Sequence, residues 1–191
     1  MTIYSALVTA LWMIFIVCWA FMAVGAKKNI GSRFWGREIG LRAGVIVLVV
    51  LALRLPSFHH ALWRLHAYAA SNSIPRNVIG VGLCAFGIGV AIWARVYLGR
   101  NWGMPMSRKA DPDLVMSGPY AYIRHPIYTG ILVAVLGSAI SESVFWLLPL
   151  VIFAVYFVYS ARSEETLMIA QFPEQYPDYV KRTKMLIPFV L

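Results

Sequence analysis

Long apolar runs separated by short polar segments set the pattern of this chain. Ile3 to Ala26 carries no charged side chain. About 20 apolar residues in a helix cross the hydrocarbon core of a bilayer, so this run predicts a first membrane span. It lacks the basic leader and short apolar core of a secretory signal, and is expected to stay as an anchor. Lys27 to Arg42 breaks the pattern with five basic residues, Lys27, Lys28, Arg33, Arg37 and Arg42. Ala43 to Leu53 is apolar but short. It reaches spanning length as Ile39 to Phe58, with Arg42 and Arg54 snorkelling toward the two interfaces, and predicts a second span. Residues 59–77 mix His, Trp, Tyr and Arg and read as an interfacial loop or a helix lying on the membrane. Val78 to Leu98 predicts the third span, with Arg95 near its end placed to snorkel. Gly87 with Ala91, and Ala85 with Gly89, put small residues four apart, a spacing that permits close helix packing.

Arg100 to Arg124 is a long polar connection containing Pro105, Pro112 and the turn Ser117-Gly118-Pro119. Loops of that length are uncommon unless they serve a function. Ile127 to Ile140 and Val144 to Ala161 follow as apolar runs, parted only by Ser141-Glu142-Ser143. They predict a tight helical hairpin, spans four and five. The remaining residues are polar and amphipathic, with Pro173 and Pro177 expected to cut them into short helices. The fold expected is an all-α, polytopic membrane bundle of about five spans with a C-terminal helical segment. Residues 1–191 form one integral membrane domain. Residues 1–98 hold three spans, and residues 99–191 hold the half in which chemistry is expected.

Composition agrees with a lipid setting. The 191 residues are 60% hydrophobic and 13% charged, against about 25% charged in a soluble domain. Mean hydropathy is +0.70. The net charge of +9 does not point to nucleic acid, because the basic residues cluster between apolar runs, as in loops facing anionic lipid heads. Five Lys/Arg fall in 27–42, four in 99–126 and four in 161–191, with none in 141–143. The positive-inside rule then places the N-terminus outside and the C-terminus in the cytoplasm. Segments 100–126 and 161–191 fall together on the cytoplasmic side. Cys18 and Cys84 lie inside apolar runs and read as small buried hydrophobes, not as a disulfide or metal site.

The densest polar string runs from Gly118 through Tyr120, Tyr122, Arg124-His125-Pro126-Ile127-Tyr128 to Gly130. Pro126 suits a first helical position, where its missing N–H would be unpaired anyway. A helix mouth there presents a positive dipole end, and Arg124 and His125 add charge-assisted donors fit for a cofactor carboxylate. Read singly, the tyrosines make an aromatic belt, Arg124 a topology anchor and His125 a satisfied interfacial histidine. A second group, Arg162-Ser163-Glu164-Glu165, closes the fifth run. Carboxylates are costly beside hydrocarbon, although Ser163 as a helix cap and acids in a first turn would explain them structurally. The third, Phe172-Pro173-Glu174-Gln175-Tyr176-Pro177-Asp178-Tyr179, reads as an amphipathic tail packing its aromatics on the bundle, compatible with a lid over a site.

The order of these motifs resembles the isoprenylcysteine carboxyl methyltransferase family, and phospholipid methyltransferases share much of it. The resembling features are the Gly-Pro-Tyr turn at 118–120, Arg-His-Pro-x-Tyr-x-Gly at 124–130, an apolar hairpin, Glu164-Glu165, Phe-x-x-x-Tyr-x-x-Tyr at 172–179 and Pro188. They cover residues 100–190. The resemblance implies S-adenosylmethionine as methyl donor. It implies cofactor contacts from Pro112, Asp113, Leu114 and Val115, from Tyr120, from His125, Pro126, Ile127 and Tyr128, and from Glu164. Arg124, Arg162 and Glu165 are the candidates for the acceptor side of the chemistry. The family's eukaryotic members place a substrate-binding Arg four residues before the Glu, where this chain has Ser160, so Arg162 is the nearest candidate. Pro173 stands where the family often has Gly.

A carboxylate acceptor is ionised at pH 7 and needs no base. Such an enzyme has mainly to align its partners and exclude water, and positioning can supply about 7–11 kcal/mol. The acceptor implied is hydrophobic or prenylated, or a membrane lipid, with carboxyl O-methylation as the reaction. An amine acceptor must first lose a proton, for which only His125 or a glutamate offers itself. Two other readings remain open. Sterol reductases carry a similar His-Pro-x-Tyr string and tail and use NADPH. A small transporter or assembly subunit would use Arg124 and Glu164 for folding alone.

Overall fold

The computed structural model describes residues 2–23, 73–99 and 113–187, and the backbone of 29–30 and 108–109. The expected second span, Pro112 and Pro188 lie outside the described residues, as does most of the expected interfacial stretch. Among the described residues four apolar helices form the bundle: α1 (Ile3–Ala23), α2 (Ile74–Leu98), α3 (Pro126–Ser141) and α4 (Leu147–Gln171); a short polar helix, α5 (Gln175–Arg182), follows. The chain is an all-α membrane bundle, as its sequence predicts. In hydrocarbon each backbone N–H and C=O must be satisfied within the segment, and a helix does this without partners.

α1, α2 and the run Val144–Gln171 are long and apolar enough to cross a membrane. α3, expected as a full span, has 16 residues, about 24 Å at 1.5 Å per residue, short of the roughly 30 Å core. Much of it is buried by protein: Pro126, Ile127, Tyr128, Gly130, Ala134, Val135, Gly137, Ser138 and Ser141 are all covered. Glu142, Ser143 and the short helical turn Val144–Trp146 join it to α4, the hairpin expected. The outward faces carry bare apolar side chains, among them Phe21, Phe86, Val96, Val151 and Val155, suited to lipid.

A seam of small residues joins α2 and α3 in antiparallel contact. A Cβ built on Gly130 would fall 2.6 Å from the Gly87 carbonyl oxygen and 2.7 Å from the Ala91 nitrogen. Both are backbone atoms that no rotamer change can move, so glycine here permits the close approach. The spacing of Gly87 and Ala91 was a sound packing signal. That of Ala85 and Gly89 was not: Gly89 has nothing within 4 Å of a would-be Cβ. Beyond this seam, Trp12 of α1 donates from Nε1 to Ser138 Oγ (3.1 Å) and stacks on Trp146.

Four expectations need correction. α2 begins at Ile74, four residues before Val78, because Pro75 fits the first turn. Arg95 does not snorkel. It is 2% exposed and donates to the carbonyls of Gly99 and Met22, tying together the ends of α1 and α2. α4 does not stop near Ala161 but runs through Arg162-Ser163-Glu164-Glu165 to Gln171. No Gly or Pro interrupts that stretch, and the helix ends just before Pro173, since the residue preceding proline is pushed out of helical conformation. Ser163 is therefore no cap, and the glutamates stand inside the helix, away from the first turn whose dipole would favour them. Pro177 lies inside the first turn of α5 and cuts nothing.

The ends of α1 and α2, the start of α3, the last turns of α4 and α5 thus gather at one end of the bundle. A two-residue antiparallel ladder, β1 (Asn29–Ile30) with β2 (Arg108–Lys109), joins the chain just after α1 to the chain after α2.

Candidate functional site

At this end the turn Gly118–Ala121 delivers the chain into α3. Gly118 has φ +60, and a Cβ there would meet the Tyr97 ring. A left-handed residue packed under an aromatic ring calls for glycine. The turn buries Tyr120 against Ala94, Ile127, Tyr128, Phe157 and Ala161, with Val115 beside them. His125 occupies the position before Pro126, and no side chain caps the helix it opens.

The C-terminal segment then straps across this entrance. α5 turns Tyr176 and Tyr179 inward and leaves Asp178, Lys181 and Arg182 outside. Tyr179 donates its hydroxyl to the Tyr120 carbonyl at 2.6 Å. Past α5, Ile123 and Lys184 form a parallel bridge. The Arg124 and His125 amides donate to the carbonyls of Lys184 (2.8 Å) and Met185 (3.1 Å). Thr129 Oγ1 donates to Leu186 O at 2.6 Å. The aromatic tail expected from sequence is present, and backbone bonds hold it down.

Under the strap lies a charged network. Arg124 Nε donates to Glu165 Oε1 at 2.6 Å, and Arg124 Nη1 to the carbonyls of Thr183 (2.5 Å) and Val180 (3.4 Å). Tyr128 donates its hydroxyl to Glu164 Oε1 at 2.5 Å. The His125 ring lies between the carboxylates, Nδ1 3.5 Å from Glu164 and Nε2 3.5 Å from Glu165. At that length these are ionic contacts more than strong hydrogen bonds. Three rings stack in sequence: His125 on Tyr128 (5.4 Å between centroids) and Tyr128 on Phe157 (4.4 Å). Tyr128 thus grips α4 at two points seven residues apart, Phe157 and Glu164, which fall on one face of a helix.

The electrostatics follow from burial. Burial works to lower the His125 pKa, but Glu164 and Glu165 at its ring nitrogens outweigh it, and the net shift is upward. Burial raises the Tyr120 hydroxyl far out of the working range, with Tyr179 and Glu164 adding to it. Tyr179 is pushed up to about 12, by burial first; Arg124 pulls the other way and Glu165 adds to the rise. These phenols donate hydrogen bonds and do not act as bases near neutral pH. Among the four charged side chains, Glu164 is the most open at 26%, against 16% for Glu165, 9% for His125 and 8% for Arg124. It is the group best placed to meet a ligand.

Of the residues singled out from sequence, Arg124, His125, Tyr128, Glu164 and Glu165 come together, with Tyr120 beside them. Pro126 and Ile127 are buried in the first turn of α3, and Val115 packs on the cluster. Leu114 is half-buried and Asp113 exposed. Arg162 is exposed on α4. Thr129 belongs to the polar string 118–130, whereas Phe157 and the strap carbonyls are part of the site outside the sequence motifs. Phe157 was within reach of sequence reading, since two helical turns separate it from Glu164.

The sequence model of the phospholipid methyltransferase family matches residues 75–175. That segment runs from the start of α2 to the start of α5 and contains the whole charged network. The chain belongs to this family. The methyltransferase is also 30% identical over 166 residues to the cobalt-zinc-cadmium resistance protein CzcN of Cupriavidus metallidurans, covering 86% of this chain and 69% of that protein. It is 27% identical over 168 residues to the nickel-cobalt-cadmium resistance protein NccN of Alcaligenes xylosoxydans xylosoxydans, covering 87% of this chain and 71% of that protein. Over 101 residues it is 30% identical to the protein-S-isoprenylcysteine O-methyltransferase of Schizosaccharomyces pombe, covering 51% of this chain and 43% of that one. Family membership makes the protein a membrane methyltransferase and leaves the NADPH-reductase reading without support.

Proposed function

We propose that the protein transfers a methyl group from S-adenosylmethionine to a hydrophobic acceptor at the cytoplasmic face of the membrane, by carboxyl O-methylation. The observation that carries this reading is the partly exposed Glu164, a carboxylate held by Tyr128 and His125 beside the mouth of α3 in a chain of a methyltransferase family. A carboxylate so fixed suits the positive charge of a sulfonium donor. The stacked rings of His125, Tyr128 and Phe157 pack beside this carboxylate and fix its position, with Tyr120 and Val115 in the same buried cluster. The basic residues of 27–42, 99–126 and 161–191 support the cytoplasmic side. In this reading Arg162, exposed and close to the bundle end, receives the acceptor carboxylate, while Arg124 and Glu165 hold the site together.

In the transfer itself the donor's sulfonium and the acceptor's carboxylate approach in line and their charges cancel. No proton has to move. The protein's part is to align the two and keep water out, for which a site under a strap beside lipid is suited.

Purified protein given S-adenosylmethionine with a labelled methyl should label an isoprenylcysteine acceptor as a base-labile ester, from a panel that also holds a membrane lipid extract. Label appearing instead on a phospholipid amine would replace carboxyl O-methylation by N-methylation and assign the proton to His125 or Glu164. Label on neither would remove the acceptor class proposed. Loss of turnover with donor binding intact in Arg162→Ala is the expected sign of an acceptor-binding arginine.

A further inference from the structure

The strap has two faces. Its inner face serves the site: the carbonyls of Val180, Thr183, Lys184, Met185 and Leu186 accept hydrogen bonds from Arg124, His125 and Thr129. Its outer face carries Lys181, Arg182 and Lys184, all exposed, while Thr183 and Leu186 turn inward and are buried. From Val180 to Leu191 the chain has no acidic residue. Asp178 lies beside these cations. It pairs with Lys181 at 2.8 Å, and Arg182 Nε donates to its carbonyl at 3.3 Å. Three cations against this one carboxylate leave the face at +2. An exposed ion pair holds its members weakly, so Lys181 stays available to a stronger anion. Glu174 stands at the far end of α5, about 12 Å away along the helix.

The side chains around this end of the bundle set the outer face among lipid headgroups. Trp93 and Tyr97 on α2, Tyr122 in the turn and Tyr159 on α4 are exposed. Trp and Tyr collect where hydrocarbon meets headgroups, because their rings are apolar and their N–H or O–H is polar. The exposed rings nearer the middle of the bundle, Phe86 and Phe153, have no such handle. Tyr122 adjoins Ile123, which bridges Lys184, and Ile187 is exposed just past the cations. Basic side chains flanked by exposed apolar ones suit a segment lying on an anionic leaflet. We propose that the outer face of the strap docks on an anionic lipid leaflet through Lys181, Arg182 and Lys184, and that this contact holds the strap closed over the charged network. The closed strap presents the three cations together on one side, fixed by its backbone bonds to 123–129; a released strap spreads them along an unanchored chain. A ligand shifts such an equilibrium only by preferring one state, and the gathered cations give the leaflet that preference. Lipid composition then sets how often the network is uncovered.

Hydrogen exchange of the whole protein, without donor or acceptor, reads the strap through the Arg124 and His125 amides, whose bonds end on Lys184 and Met185. It is measured in nanodiscs of phosphatidylcholine and of phosphatidylcholine mixed with phosphatidylglycerol. The Glu142 and Trp146 amides at the opposite end of the bundle meet the same lipid and correct for the surface's own effect on exchange. In the anionic discs the Arg124 and His125 amides should exchange roughly tenfold to thirtyfold more slowly, the range for two net charges near an anionic leaflet. Added salt should erase the difference. Lys181→Gln with Arg182→Gln and Lys184→Gln should exchange alike in both discs, whereas Lys181→Arg with Lys184→Arg keeps the charge and should follow wild type. Inorganic phosphate added to the neutral discs should change nothing; slowing as large as that given by the lipid would overturn the leaflet as the ligand. Equal exchange of wild type in the two discs, or faster exchange in the anionic one, would overturn the proposal. So would a lipid effect that survives in the glutamine variant; if that variant does not fold, a lipid effect in wild type that salt leaves unchanged would do the same. No methyl donor enters the measurement, so each outcome is independent of the cofactor reading.

Discussion

Gly130→Leu is expected to prevent the methyltransferase from accumulating as a folded membrane protein. Any Cβ at that position meets the Gly87 carbonyl and the Ala91 amide nitrogen of α2. Neither can step aside, so α2 and α3 must part along their whole seam, taking Ala134 and Gly137 out of contact as well. Overpacking a well-packed core with flexible neighbours costs roughly 1–3 kcal/mol, and a clash between two backbones belongs at or beyond the upper end. Gly89→Leu is the matched control. It adds the same side chain to the same bundle, on a face with nothing within 4 Å, and should melt like wild type in detergent. Equal melting of the two variants would show that the seam is not where these helices are held.

Arg124→Ala should also be severe, for an electrostatic reason. The guanidinium is 8% exposed and its partner Glu165 16%. Removing one member of a buried pair leaves an uncompensated charge, typically at a cost of 3–5 kcal/mol. Here His125 still faces Glu165, so about 3 kcal/mol is expected. The strap should loosen too, because Nη1 no longer reaches the carbonyls of Thr183 and Val180. Lysine should rescue only part of the loss: it offers a point charge where arginine reaches Glu165 and the strap in two directions. A double-mutant cycle reads this directly. Glu165→Gln should be costly alone and close to neutral in the Arg124→Ala background. Additive losses would mean that the two side chains do not act as a pair. Wild-type stability of Arg124→Lys would favour the simpler role of a topology anchor.

The apolar helices were readable from the chain because lipid imposes a one-dimensional rule: a long run without charge must be helical. The same rule misled at the end of α4. Hydropathy marks where lipid stops, and helix formation does not need lipid; Glu164, Glu165, Leu167 and Met168 continue a helix readily once it has begun. Arg95 misled in the same manner. Near a span end a cation is expected to reach for water, but here two helix ends offered it carbonyl oxygens to bond instead. The residue types of the site were legible as well, since Arg124, His125, Tyr128 and the glutamates stand out against apolar neighbours. Their pairing was not. Which glutamate takes Arg124 depends on how α3 and α4 are rotated about their axes. That rotation is set by the Tyr128 and Phe157 stack and the strap, contacts between residues far apart in sequence.

In the proposed function Glu164 presents a fixed negative charge to a cationic methyl donor. Thermal melting in detergent against increasing S-adenosylmethionine measures it most directly, because a ligand that binds only the folded state raises stability in proportion to the logarithm of its concentration. Wild type should be stabilised progressively by the donor and not by NADPH. Glu164→Gln, which keeps the shape and a Tyr128 hydrogen bond, should fold but need about tenfold to a hundredfold more donor for the same shift, as expected for the loss of one charge-assisted contact. Equal stabilisation of Glu164→Gln and wild type would contradict the assignment of this carboxylate to the donor.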